Sequence, residues 1–95
     1  MEIKGFTKIG SFGVDSGRVL IVDPCYVLDG EGRYPLAFGH DWEEFLELNL
    51  DGAPTKQLHA EMGVLSTTGY GDGVYGVYAR IENQRVMELR ILFDE

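Results

Sequence analysis

In residues 2–14, "EIKGFTKIGSFGV", Ile3, Gly5, Thr7 and Ile9 alternate with polar neighbours and three glycines break the run, which predicts a strand carrying a bend or bulge. Asp15-Ser16-Gly17 has turn chemistry, because Asp and Ser bond to their own backbone and Gly accepts positive φ. In "RVLIVD", Val19 to Val22 are apolar without alternation, as in a strand covered on both faces. Pro24 then ends ladder pairing, and residues 24–39, with the turn-prone "DGEG", form the longest irregular section.

At "DWEEFLELNLDG" the period changes to that of a helix near 41–51. Trp42, Phe45, Leu46 and Leu50 share one face, and Glu43, Glu44 and Glu47 line the other. Asp41 is the expected N-cap, with Glu44 completing a capping box and Gly52 closing the helix. After "APTKQ", residues 58–66 alternate loosely and predict a strand with Leu58, Ala60, Met62 and Val64 on one side. Tyr75, Val77, Ala79 and Ile81, then Met87, Leu89, Ile91 and Phe93, are the inward positions of two further strands, joined by "ENQR" as a hairpin. The pattern predicts one mainly β (α+β) domain over residues 1–95. An antiparallel sheet would curl into a small barrel or sandwich, with one amphipathic helix on its open side.

Charge narrows the function classes. The 95 residues carry 16 acidic and 8 basic side chains, a formal charge of −8. The basic residues Lys4, Lys8, Arg18, Arg33, Lys56, Arg80, Arg85 and Arg90 make no stripe of the kind that follows a phosphate backbone, which argues against duplex nucleic acid as a partner. A local pocket for one small anion, or a basic protein partner, stays open. A single cysteine, Cys25, forms no internal disulfide and fits a reducing, cytoplasmic setting. No apolar run is long enough for a signal peptide or a membrane span. A chain this small gains stability from association, so a homo-oligomer is the expected state.

The stretch "STTGYGDGVYG" is the densest candidate for chemistry. It lacks the lysine and hydroxyl that follow the last glycine of a phosphate-binding loop, the helix that follows a dinucleotide fingerprint, and all but one acidic ligand of a calcium loop. What remains is a glycine-rich turn with Thr67, Thr68, Tyr70, Gly71, Asp72, Gly73 and Tyr75. Its amides are able to hold an anion and its rings to stack a base; equally, its glycines satisfy backbone angles and nothing more. "DPCY" holds Asp23, Cys25 and Tyr26 at a strand end. Cys25 is either a nucleophile wanting a base or, as lone cysteines commonly are, a small buried apolar residue. His40 and His59 with Asp23 or Asp72 offer a two-histidine, one-carboxylate metal set, but no local spacing supports it. No motif calls for a cofactor, a metal or an assigned catalytic residue.

The combination "VDSGRVLIVDPCYV" and "GYGDGVYGVYARI" resembles an uncharacterised family of small bacterial and phage proteins, with an aspartate-serine-glycine turn, a "DPCY" corner, a "GDGVYPVY"-like strand and a closing strand ending in Phe-Asp, here Phe93 and Asp94. Gly76 stands where proline is commoner in that pattern. The resemblance implies a compact β-rich fold and no established activity, and it groups Asp15, Ser16, Gly17, Asp23, Cys25, Tyr26, Tyr70 to Gly73, Tyr75 and Tyr78 as acting together on one face. The leading expectation is a non-enzymatic binding protein for a small anionic or nucleotide-like ligand, with a phage as one origin; sequestering a signalling nucleotide is one version. An acidic inhibitor or adaptor that docks on another protein comes second, and a small hydrolase or lyase using Asp23, Cys25 or a histidine third.

Overall fold

The computed structural model describes residues 3–27, 41–49 and 52–93. The described residues are mainly β, with six strands in two open three-stranded sheets, ordered β1-β5-β6 and β2-β4-β3. These belong to two compact units: Met1–Arg18 with Thr68–Glu95, and Val19–Thr67. No helix among the described residues is long and apolar enough to cross a membrane.

The first unit is built on β1 (Thr7–Val14), β5 (Gly73–Glu82) and β6 (Arg85–Ile91), all antiparallel. The expected irregularity in β1 is a register shift between Lys8 and Gly10. The β5–β6 hairpin closes through Asn83 and Gln84 at φ of 51° and 66°. Successive positive φ angles give the two-residue turn whose twist matches the flanking strands. Tyr75 and Ala79 are buried on one face of β5, and Tyr78 is buried on the other. The central strand is thus covered on both sides. The outer half of the hairpin departs from the pattern: Ile81, Met87 and Leu89, expected to point inward, are about half exposed.

The second unit begins at Val19, within β2 (Arg18–Ile21), which leads into a one-turn helix, α1 (Pro24–Val27), where irregular chain was expected. Asp23 caps α1 by accepting the Cys25 amide at 2.9 Å, and Pro24 occupies the first helical position, where its fixed φ suits a helix and its missing N–H costs nothing. α2 spans Trp42–Asn49, and the Asp41 carboxylate accepts the Glu44 amide at 2.9 Å, as the cap signal predicted. Phe45 forms the unit's core with Leu58 and Leu65, flanked by Leu20, Val22 and Met62. Each such buried side chain contributes roughly 1.5–3 kcal/mol. Trp42 stacks on Phe45 at 5.6 Å yet stays half exposed. Leu50, the "DGEG" turn and His40 lie outside the described residues.

Of the strand expected over 58–66, residues 64–66 lie in β4 (Val64–Thr67), and residues 58–63 are instead the loop that joins it to a short strand β3 (Thr55–Gln57). Their antiparallel register pairs Thr55 with Ser66 and Gln57 with Val64. Between them His59–Glu61 forms a 3₁₀ turn in which Ala60 and Glu61 take left-handed φ of 55° and 58°. Leu58 donates its amide to the Gly63 carbonyl at 2.9 Å, closing the loop. Leu65, not Val64, faces the core, the reverse of the expected alternation.

Candidate functional site

In the first unit the glycine-rich loop is folded around one carbonyl. The fully buried Thr68 donates its Oγ1–H to the Gly71 carbonyl at 2.6 Å, and the Tyr75 hydroxyl donates to the same oxygen at 2.7 Å. The Gly71 amide returns to the Thr68 carbonyl at 3.3 Å, and the Thr68 amide reaches Gly17 at 3.1 Å. Gly69 and Gly71 hold φ of 64° and 92°, angles that favour glycine. A Cβ on Gly17 would lie 3.9 Å from the Gly71 Cα and 4.0 Å from Asp72 Oδ1, so the Asp15–Gly17 turn and this loop are in contact. Tyr75 is buried edge-on against Phe93 at 5.2 Å.

The loop thus spends Thr68 and Tyr75 on its own shape. Tyr70 is the ring it leaves free, four-fifths exposed, and Asp72 in the loop and Asp15 and Ser16 in the Asp15–Gly17 turn are exposed as well. Ser16 points its hydroxyl at the Arg18 carbonyl at 3.4 Å. Thr67 closes β4, its amide on the Pro54 carbonyl at 2.9 Å, and belongs to the second unit.

Asp23, Cys25 and Tyr26 also lie in the second unit. Asp23 and Tyr26 line an open depression of about 460 Å³ whose apolar wall includes Ile21, Val22, Met62 and Val64, with Glu61 as its second carboxylate. Cys25 is exposed on α1, not buried as lone cysteines commonly are. No group of three or more His, Cys, Asp or Glu side chains gathers among the described residues.

A different cleft in the first unit escaped the sequence pattern. Ile3 to Lys8 and Tyr78 line an open space of about 680 Å³. The Phe6 amide closes a turn onto the Ile3 carbonyl at 2.9 Å, with Gly5 at φ 84° as its third residue. That geometry demands glycine at this place and carries Lys4 at the turn's corner. Register sets Lys8 opposite Tyr78. The Tyr78 ring crosses Gly76, whose added Cβ would sit 3.1 Å from the ring and 3.3 Å from Lys8 Cε. The Arg90 guanidinium lies 4.3 Å over the Phe6 ring. Two lysines, a threonine and two aromatic rings therefore surround one cleft. The signal was weak, because Lys8 and Tyr78 stand 70 positions apart and only strand pairing joins them.

Charge also divides unevenly. Residues 19–67 hold nine of the 16 acidic side chains and two of the eight basic ones, whereas the rest of the chain is nearly balanced. No protein-family model, curated protein or solved structure matches this chain.

Proposed function

We propose that this chain is a non-enzymatic binding protein for a small anionic, nucleotide-like ligand, held in the cleft of Lys4, Phe6, Thr7, Lys8 and Tyr78. The observation that carries this reading is the pairing of two ammonium groups with aromatic rings around one open space, in a chain otherwise strongly acidic. The lysines supply compact charge for phosphate, and the half-buried Phe6 ring, one face of which carries Arg90, supplies a stacking face. The exposed Tyr70 and the acids Asp15 and Asp72 form a second polar surface in the same unit, suited to ligand hydroxyls. Sequestration of a signalling nucleotide is the cellular role this chemistry suits.

The test incubates the protein with mono-, di- and cyclic nucleotides, filters the mixture, and chromatographs filtrate and denatured retentate. Intact nucleotide in the retentate is expected. Lys4→Ala and Lys8→Ala should each weaken retention about tenfold, the scale of a lost charged hydrogen bond. A new product peak would make the protein an enzyme instead. An unchanged panel would favour a second reading, an adaptor that docks a basic protein on the acidic 19–67 segment; its affinity would fall steeply with salt.

A further inference from the structure

Among the described residues strand β6 is the edge of its sheet, paired on one side with β5. Natural edge strands are weakened by glycine and blunted by proline, charged side chains or bulges, because an open ladder recruits another strand. The opposite edge, β1, has Gly10, Gly13 and a register shift between Lys8 and Gly10. Residues 85–91 of β6, "RVMELRI", have neither glycine nor proline, and their one irregularity, a register shift that leaves Met87 without a β5 partner, lies at the outer end of the strand. At its outer end Val86, Met87 and Leu89, with Ile81 of β5, are 59%, 53%, 57% and 49% exposed. Ala79 pairs with Leu89 and Ile81 with Val86, so these apolar groups continue the buried face of β5 toward the open edge. On the other face Glu88 holds the Arg80 guanidinium at 3.0 Å and Arg90 at 3.3 Å.

We propose that β6 pairs antiparallel with β6 of a second copy of this chain, Leu89 opposite Leu89 across a two-fold axis, to make one continuous six-stranded sheet. The sequence of the strand selects this register. Opposed residues share a face, so along the stretch from Met87 to Ile91 the apolar odd positions must meet odd positions, while the register shift at Met87 returns Val86 to that same face. Centring on Glu88 would set carboxylate against carboxylate, and centring on Arg90 guanidinium against guanidinium. Centring on Leu89 sets Glu88 against Arg90 twice and Met87 against Ile91 twice, so charges are complementary on one face and apolar side chains meet on the other. Each Glu88 oxygen has a lone pair to spare beyond its present arginine. The acidic excess, which would keep copies apart, sits in residues 19–67 and not in this strand. The pairing is independent of the ligand reading above.

Sedimentation velocity over a concentration series tests it, together with cysteine cross-linking in a Cys25→Ser background. The wild type should show a reversible monomer–dimer equilibrium. Leu89→Arg, at an exposed position that leaves the circular dichroism unchanged, should raise the dissociation constant about tenfold or more by setting like charges face to face. Mild oxidation should link Leu89→Cys into a covalent dimer and leave the equally exposed Val86→Cys monomeric, because position 86 faces position 92 in this register. A wild type that stays monomeric at the highest attainable concentration overturns the proposal. So does a dimer unaffected by Leu89→Arg, or one that Val86→Cys cross-links as readily.

Discussion

Gly63 shows how one missing methyl group shapes the second unit. A Cβ there would stand 2.8 Å from the Ile21 carbonyl oxygen and 3.3 Å from Leu20 Cδ1, and the nearer obstacle is backbone that cannot rotate aside. Gly63→Ala should therefore cost about 1–3 kcal/mol, the range of overpacking, read as a lowered urea midpoint. Ala60 presents the opposite case. Its left-handed φ of 55° strains an alanine but not a glycine. Ala60→Gly should raise stability by about 1 kcal/mol in the same titration, and a loss would show that the angle is not strained. In the first unit, Tyr75→Phe removes one of two hydroxyls on the Gly71 carbonyl. A fall of about 1 kcal/mol is expected, with Thr68 still holding the loop.

Among the elements, the hairpin carries the exposed ion-pair network. The Glu88 carboxyl is held below the usual glutamate range, first by the Arg80 hydrogen bond and then by Arg90, against an opposing desolvation effect. A carboxyl whose pKa is depressed in the folded state stabilises that state above the ordinary value and loses the contribution as it protonates. The hairpin's network should thus be intact above about pH 4.3 and fail as the pH falls below it. Glu88→Gln should flatten that acid limb in a series of thermal melts, although the exposure of all three side chains keeps the effect small. The same scale shows what was legible in the sequence. The α2 helix, its Asp41 cap and the β5–β6 hairpin are read from local spacing and turn residues, and the structure contains them. Residues 58–63 misled because loose alternation does not report left-handed angles at Ala60 and Glu61, which turn the chain ahead of β4. The short helix α1 was hidden in an Asp-Pro step that reads equally as a strand end or a helix start. Of the candidate site, the structure brings the Asp15–Gly17 turn against the glycine loop, two stretches that only the family resemblance had grouped. The lysine cleft was not legible, since it exists only through the pairing of β1 with β5.

At the scale of the whole molecule, charge is the dominant imbalance. With nine acidic residues against two basic ones in positions 19–67, self-repulsion opposes folding of that segment at low ionic strength. Raising salt from about 0.01 M to 0.15 M shortens the screening length from roughly 30 Å to 8 Å and should raise the melting temperature. A lower melting temperature in salt would mean that ion pairs outweigh the repulsion. In the first unit the hexapeptide "GVYGVY" is a doubled triplet in which each tyrosine lies near the glycine two residues before it; a Cβ on Gly73 would be 3.6 Å from the Tyr75 ring, as one on Gly76 would be 3.1 Å from that of Tyr78. A repeat of three in a strand of period two sends the rings to opposite faces, so each shields the backbone from its own side. Deuterium should therefore enter this unit from its borders. Amides of β1 and β6 exchange early through local fraying, and those around Val77 exchange last, reporting the opening of the whole unit.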